Sequence, residues 1–176
     1  MLRIGSPRPA EGIVDLLLDC HARIRSFSQL AVRLGEASRP TPAEVAEAAA
    51  QVRRYFLEAL PLHARDEEES VLPRLAGRDA AVDAALVEMH RDHEGHGAVL
   101  DPVLALCAEL AAAPERHAEL GPALAAAGRL LAQHFETHLA SEEATIFPAL
   151  ARVVPEDERR RMVDELRARR GDHASR

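Results

Sequence analysis

Apolar residues recur at helical spacing along four long stretches of this chain, and Gly or Pro residues interrupt the pattern between them. No stretch alternates apolar and polar residues in the manner of a half-buried strand. The pattern therefore predicts an all-α fold, an up-down-up-down four-helix bundle over about 9–151. The predicted helices run from about Pro9 to Leu34, from Thr41 and Pro42 past a kink at Pro61 to Leu75, from Arg78 to Ala112, and from Pro122 to Ala151.

The rest of the chain adds little to this plan. A charged helix is predicted at about 156–170, and its alternating charges indicate a solvated face, with binding of a partner as the alternative. A length of 176 residues suits a single domain. The hydrophobic fraction is 47% but the aromatic fraction is only 3%, so Ala, Leu and Val must fill the core. Such a core favours closely packed helices.

Composition also makes several classes of function improbable. The net charge is -7 and no arginine-dense arm is present, which argues against nucleic acid as a partner. Cys20 and Cys107 form no disulfide or zinc motif. The N-terminus, with Arg3, Pro7 and Pro9, lacks a signal-peptide pattern, and no apolar run approaches the roughly 20 residues of a membrane span. We therefore expect a cytoplasmic protein that does not contact a membrane.

An internal repeat carries the functional signal. Residues 63–75 align without a gap with residues 138–150. In each copy a histidine is followed four residues later by a glutamate and then by an apolar residue and a proline: His63, Glu67, Leu72 and Pro73, and His138, Glu142, Phe147 and Pro148. The helix before each copy carries a histidine that follows an acidic residue closely. These histidines are His21 before the first copy and His93 before the second. The chain therefore consists of two helical hairpins of similar plan.

Helical geometry brings these side chains together. Residues four apart differ by about 40° around a helix axis, so the histidine and glutamate of each motif point the same way. The six converging donors are His21, His63, Glu67, His93, His138 and Glu142. Buried imidazoles and carboxylates need a compensating partner, and a cation accepts both. Mixed nitrogen and oxygen donors favour iron or manganese over a closed structural zinc site, and two carboxylates can bridge two ions.

These motifs resemble the hemerythrin family, specifically its HHE cation-binding domains, over roughly Ile13 to Leu150. The resemblance implies two iron ions, with or without an oxo or hydroxo bridge, and manganese or zinc as substitutes. It implies terminal imidazole ligands and bridging carboxylates at particular positions: His21, His63, His93 and His138 as the imidazoles, and Glu67 and Glu142 as the bridges. Members of the family bind dioxygen, nitric oxide or iron, and some act in sensing or stress responses.

The third helix departs from the oxygen-carrying hemerythrins, which supply two histidines four apart. Here His90, His93 and His96 are spaced by three, and such residues diverge by about 60°. We therefore expect this helix to supply His93 and at most one weakly placed neighbour as metal ligands. His134 is the alternative source of a fifth histidine.

Other polar residues receive structural interpretations. Glu68, Glu69 and Glu143 are expected to face solvent, although a one-residue shift in register would make Glu68 or Glu143 a ligand. Tyr55 is expected in the core with its hydroxyl at the surface, and contact with the metal pocket is the alternative. His117 and His173 receive no role. The Leu-Pro and Phe-Pro pairs are expected to end or bend the helices beyond the site.

Three functions remain open. A binding protein for a small diatomic ligand or for metal ions is favoured. A di-iron oxidase or peroxide-consuming enzyme is the second, although the Glu-x-x-His spacing of ferritin-like oxidases does not occur. A helical protein-interaction scaffold is the third. The sequence does not identify a protein partner or an oligomeric state.

Overall fold

The structure is a computed structural model that describes residues 12–174, with side chains described for 12–171. Within residues 12–174 the chain is almost entirely helical and forms no strand, which confirms the all-α prediction. The α-helices are α1 Ile13–Glu36, α2 Pro42–Arg54, α3 Leu60–Asp66, α4 Leu72–Leu75, α5 Ala80–Gly95, α6 Gly97–Ala112, α7 His117–Ser141, α8 Phe147–Val153 and α9 Glu156–Ala174. The predicted start of the first helix at Pro9, and the N-terminal residues discussed above, lie outside the described residues.

The α-helices join into longer segments. Helices α2, α3 and α4 are continuous through π turns at Tyr55–Ala59 and Glu67–Val71, and α7 continues into α8 through a third π turn at Glu142–Ile146. Helix α1 packs against α7 and α2, and α6 packs against α2 and α7. Buried apolar side chains form two core clusters, one centred on α1, α2, α6 and α7 and one that includes α5, α8 and α9.

Each π turn lies just before a proline. Leu60, Leu72 and Phe147 donate their amide hydrogens five residues back, and Pro61, Pro73 and Pro148 follow them directly. A proline ring clashes with the carbonyl four residues earlier, and in each case that carbonyl belongs to the π turn, whose wider backbone makes room for the ring. The helices run on through all three prolines, so these residues do not end them, whereas the bend expected at the Leu-Pro and Phe-Pro pairs stays a prediction. Two of the π turns begin at site glutamates.

Helix ends follow the sequence in some places and not in others. Thr41 caps α2 by accepting a hydrogen bond from the amide of Glu44, and Gly77 ends α4 with a positive φ of 75°, as expected. Helix α7, however, begins at His117 rather than at Pro122. Helix α1 ends at Glu36, close to the predicted end at Leu34. A Cβ on Gly35 would lie 2.4 Å from the backbone nitrogen of Ala125, so Gly35 permits close packing of α1 on α7.

Helix α9 does more than present a solvated face. Its residues Met162, Val163 and Leu166 are buried in the second core cluster, so the predicted solvated face covers only one side of the helix. The local signal was missed because arginines and acidic residues surround these three apolar positions. The opposite side is exposed at Arg160 and Arg161.

One segment bears on the membrane question. Ala80–Ala112 is long and apolar enough to cross a membrane by length and composition alone, a test that core helices of soluble proteins also pass. Within it, Leu100, Val103 and Leu110 lie in the first core cluster. The expectations about membrane contact and cytoplasmic location stay predictions.

Candidate metal centre

The first cluster of potential ligands lies where α1 meets two of the π turns. One donor atom from each of His21, His63, Glu67 and Glu142 lies within 4.8 Å of the others, and all four residues are buried. His21 comes from the middle of α1, His63 from α3, and each glutamate is the first residue of a π turn. Three helical segments therefore deliver the donors to one point.

A second cluster shares both glutamates with the first. Donor atoms of Glu67, His93, His138 and Glu142 also lie within 4.8 Å of one another. Thus all six residues expected at the site from the sequence come together, in two overlapping groups.

The two oxygens of each glutamate point to different clusters. Oε1 of Glu67 lies 3.4 Å from Nε2 of His63, whereas its Oε2 lies 3.2 Å from Nε2 of His93. Oε2 of Glu142 lies 3.1 Å from Nε2 of His21, and its Oε1 lies 3.2 Å from Nε2 of His138. Each carboxylate thereby spans the space between the two histidine groups.

His96 is the additional histidine that the structure brings to this site. Its ring forms a third group with His93 and His138, with donor atoms within 4.8 Å. The α-helix is interrupted here, because the amide of His96 donates to the carbonyl of His93 in a tight three-residue turn. Such a turn nearly eclipses residues three apart, which removes the divergence expected for a regular α-helix.

The other two histidines of this region lie outside the clusters. The side chain of His90 is 56% exposed and its Nδ1 lies 2.9 Å from Oε1 of Glu68. Nε2 of His134 lies 2.9 Å from Nδ1 of His96, so His134 contacts a cluster member without joining a cluster. Of the alternatives left open by the sequence, the geometry favours His96.

Carboxylates on the outer side of the rings were missed by the sequence interpretation. Nδ1 of His93 donates to Glu68 across 2.9 Å, and Nδ1 of His138 lies 3.2 Å from a carboxylate oxygen of Asp92. Nδ1 of His21 donates in the same way to Glu143. The expectation that Glu68 and Glu143 simply face solvent is wrong, because each reaches across to the histidine of a neighbouring helix. A signal existed in the sequence, since both copies of the repeat carry a Glu-Glu pair.

The structure also places the other polar residues that the sequence singled out. Tyr55 stacks on Phe27 and its hydroxyl donates to the backbone carbonyl of Cys20 across 3.5 Å, so it is a core tyrosine whose hydroxyl lies beside α1 rather than at the surface. Glu69 is 46% exposed, as expected. His117 lies in α7 rather than in a loop, with Nε2 2.7 Å from the carbonyl of Leu34, and the side chain of His173 lies outside the described residues.

Burial and the neighbouring charges shift the pKa values of the glutamates and histidines in this site. Burial, together with the negative charge of Glu67, raises the pKa of Glu142 to about 8. Burial alone would also raise the pKa of Glu67, but the neighbouring histidines hold it well below its usual range. Burial lowers the pKa of His63 to about 4. Without a cation, therefore, one carboxyl of this site keeps its proton near neutral pH while the other does not.

Buried polar atoms that lack a hydrogen-bond partner indicate whether a metal ion fits this site. Within the described part of the chain, buried donor atoms of the two clusters have no hydrogen-bond partner: Nε2 of His21, His63 and His93, and both oxygens of Glu67 and Glu142. A buried polar atom without a partner costs about 1–3 kcal/mol. One or two cations placed among these atoms would bind them all, so the residues fit a metal centre.

Comparison with known proteins gives an independent result. A protein-family model described as the hemerythrin HHE cation binding domain matches residues 12–114, which is more than half of the chain. The matched part includes His21, His63, Glu67 and His93, whereas the second copy of the repeat lies beyond it. No curated protein matched the chain.

Proposed function

Because the chain belongs to the hemerythrin HHE cation-binding domain family, we propose that it is a non-haem di-iron protein that binds oxygen or nitric oxide, or handles iron itself. The imidazoles would hold the ions from either side, and the carboxylates of the two motif glutamates would lie between the histidine groups: His21, His63, His93, His96 and His138, with Glu67 and Glu142. The observation that carries this proposal is the orientation of the glutamates, each with one oxygen towards each histidine group.

Two ions explain that orientation better than one. A single ion would draw both oxygens of a carboxylate, or only one, to the same point. Here the two oxygens of Glu67 are nearest to histidines of different groups, and those of Glu142 repeat the arrangement. Two bridging carboxylates also bring two negative charges, which lower the repulsion between neighbouring cations.

The donor set supports iron, with manganese and zinc as substitutes. Imidazole and carboxylate donors in a site with open positions suit non-haem iron, and no cysteine belongs to either cluster. Iron held there would supply a redox-active ion able to take a small ligand. His21 and His63 offer two imidazoles on one side, while His93, His96 and His138 offer three on the other, so the first side keeps more room for that ligand.

The surrounding chain fixes and shields these donors. Glu68, Glu143 and Asp92 bind the outer nitrogens of the rings, which leaves the inner nitrogens of His93, His21 and His138 available for a metal. Phe147 packs against His21 with a ring-centre distance of 4.9 Å. This arrangement orients the imidazoles and limits the access of water.

The architecture proposed for this function is a single domain with an up-down-up-down four-helix bundle followed by α9. Short connections at 37–41, 76–79 and 113–116 separate the four long segments, and short connections favour antiparallel neighbours. The contacts of α1 with α2 and α7, and of α6 with α2 and α7, agree with such a bundle.

The proposal is tested by measuring metal in the purified protein and after reconstitution with ferrous iron. We expect two iron ions per chain and a visible absorption band that changes between air, reduction and nitric oxide. A folded protein that stays colourless and binds no iron contradicts the proposal. Steady consumption of peroxide or ferrous iron over many cycles would favour the enzymatic alternative, and a single turnover would exclude it.

Substitution of the bridges separates metal binding from a scaffold role. Glu67→Gln and Glu142→Gln are expected to lower the melting temperature of the iron-loaded protein, because binding to the folded state alone contributes stability. Glu47→Gln, at an exposed position of α2, is the control. If the bridge variants melt with the control in the presence of iron, the two glutamates do not contribute to metal binding and the scaffold alternative gains support.

A further inference from the structure

Helix α9 holds a buried carboxylate next to the metal centre. Asp66 is fully buried and directly precedes Glu67. Nη1 of Arg169 donates to Oδ1 of Asp66 across 2.7 Å, and Nη2 of Arg170 donates to Oδ2 across 2.7 Å. Two arginines from the end of the chain thus bind both oxygens of a residue adjacent to a proposed bridge.

The same helix also binds the far end of the π turn Glu67–Val71. Oγ of Ser70 accepts a hydrogen bond from Arg169 across 2.7 Å and donates one to Glu165 across 2.5 Å. We call Asp66, Ser70 and the three α9 residues the α9 clasp. It holds the turn both at the residue before Glu67 and three residues after it.

One member of the α9 clasp also reaches α1. Nη2 of Arg170 lies 3.5 Å from Sγ of Cys20, the residue before His21. A single guanidinium group therefore contacts the neighbours of two proposed ligands, one on each of two helices.

The other half of the site has no such clasp. In the aligned repeat the positions of Asp66 and Ser70 are occupied by Ser141 and Thr145, which carry no charge and cannot form ion pairs. The α9 clasp therefore acts on one glutamate of the pair. Helix α9 also lies beyond residue 114, where the family match ends.

The energetics make Asp66 dependent on its arginines. Asp66 is fully buried, and the guanidinium groups of Arg169 and Arg170 supply the positive charge that compensates its carboxylate. Removing the cations from a buried ion pair leaves an uncompensated charge, which the chain relieves by moving the carboxylate or admitting water. Either response displaces the backbone that carries Glu67.

We propose that Arg169 and Arg170 are positioning residues of the metal centre, which hold the π turn through Asp66 and Ser70 and so direct the Glu67 carboxylate between the two histidine groups. This inference rests on the proposed metal-binding function. It makes the retention of metal depend on helix α9, although no α9 residue with a described side chain belongs to either cluster.

The test uses a clasp variant that carries both Arg169→Gln and Arg170→Gln in one chain. Its control is the single variant Arg161→Gln. Arg161 lies on the same helix with a side chain 62% exposed, and it pairs with Asp157 and Glu158 of α9 itself. We expect the iron-loaded clasp variant to lose iron to a chelator about tenfold faster than the wild type, the size of effect typical when residues that orient ligands are removed. The control is expected to match the wild type.

A folded clasp variant that loses iron at the wild-type rate overturns the proposal. If the variant does not fold, Asp66→Asn is added to remove the buried charge, and the same comparison of rates decides. Arg169→Lys with Arg170→Lys keeps both positive charges, so it is expected to restore part of the iron retention. A lysine variant no better than the glutamine variant contradicts the charge-based role of the arginines.

Hydrogen exchange separates this inference from the proposed function. In the metal-free protein, the clasp substitutions are expected to accelerate amide exchange at Glu67–Val71 and to leave Glu142–Ile146 unchanged. If the wild type binds no iron, the proposed function fails, while localised exchange still supports the action of α9 on the turn. Equal exchange in wild type and variant overturns the inference even when the wild type binds two iron ions.

Discussion

Nδ1 of His21 donates a hydrogen bond to Oε1 of Glu143 across 2.8 Å, and the same ring turns Nε2 towards Glu142 at 3.1 Å. The relationship recurs in the other half, where Glu68 binds Nδ1 of His93. In each copy of the repeat, the first glutamate of the Glu-Glu pair enters the clusters and the second orients a histidine of a neighbouring helix. A carboxylate on the outer nitrogen fixes the tautomer of an imidazole and makes the inner nitrogen a better metal ligand.

We therefore expect Glu143→Gln and Glu68→Gln each to weaken iron binding by about tenfold or more, since comparable losses follow when the partners of ligating histidines are changed. Competition with a coloured chelator measures the change. Glu109→Gln is the matched control, because Glu109 pairs with Arg116 far from the clusters. Equal iron affinity in all three variants would show that these carboxylates do not orient the ligands.

His96 and His90 provide a second matched comparison, since they lie six residues apart and differ in burial. His96→Ala removes a buried ring whose donor atom lies within 4.8 Å of those of His93 and His138. We expect this change to alter the visible spectrum of the iron-loaded protein and to weaken binding of one ion. His90→Ala removes a largely exposed ring and is expected to leave the spectrum unchanged. Identical spectra for both variants would exclude His96 as a ligand.

The sequence predicted the residues of the two motifs better than it predicted the residues that surround and orient them. Motifs with a four-residue spacing bring His63 to Glu67 and His138 to Glu142 in any regular helix, so these residues needed only the helix assignment. His96 could not be found in this way, because its position depends on a local tight turn that departs from regular helical spacing. Helical periodicity describes the average helix and does not reveal such departures.

The supporting carboxylates and the last helix depend on tertiary contacts. Glu68 and Glu143 bind histidines that lie far away in the sequence, and Asp66 pairs with arginines about 100 residues later. Apart from the Glu-Glu pair that both copies of the repeat share, nothing local distinguishes such residues from ordinary surface charges. Similarly, the π turns depend on how a following proline is accommodated, and the sequence alone indicated only a bend.

The metal-free protein should lose stability as the pH rises. Glu142 has its pKa raised to about 8 by burial and by Glu67, and in the unfolded chain it would release its proton near 4.5. Burial lowers the pKa of His21, but Glu142 and Glu67 outweigh it and raise the pKa to about 9 from 6.5. Both groups thus bind more protons in the folded state between pH 6.5 and 8, and His21 does so up to about 9. Stability is therefore expected to fall across this window.

Iron binding should show the opposite trend over the same range. A metal needs His21 and Glu142 without their protons, so we expect affinity to rise from pH 6.5 to 9 and binding to release protons. Melting curves of the metal-free protein and calorimetric titrations in buffers of different ionisation enthalpy measure the two trends. His63, with a pKa near 4, affects stability only below pH 6.5. Parallel trends for stability and iron affinity would contradict this assignment of protons.

The approach of α1 to α7 permits a prediction about the fold that is independent of metal. A Cβ at Gly35 would lie 2.4 Å from the nitrogen of Ala125 and 2.6 Å from the carbonyl oxygen of Gly121, both of them backbone atoms that cannot rotate away. Gly35→Ala is therefore expected to destabilise the protein by about 1–3 kcal/mol, as overpacking typically does. Thermal melting should show a drop of several degrees with and without iron.

Gly171→Ala is the control, because a Cβ there meets no heavy atom within 4 Å. In a helix, alanine is favoured over glycine by up to about 1 kcal/mol, so this change is expected to leave the melting temperature equal or slightly higher.

Since α1 carries His21 and α7 leads to His138, a shift of one helix against the other also moves ligands from both halves of the site. Gly35→Ala should accordingly weaken iron binding as well, and an unchanged melting temperature would show that the two helices separate without cost.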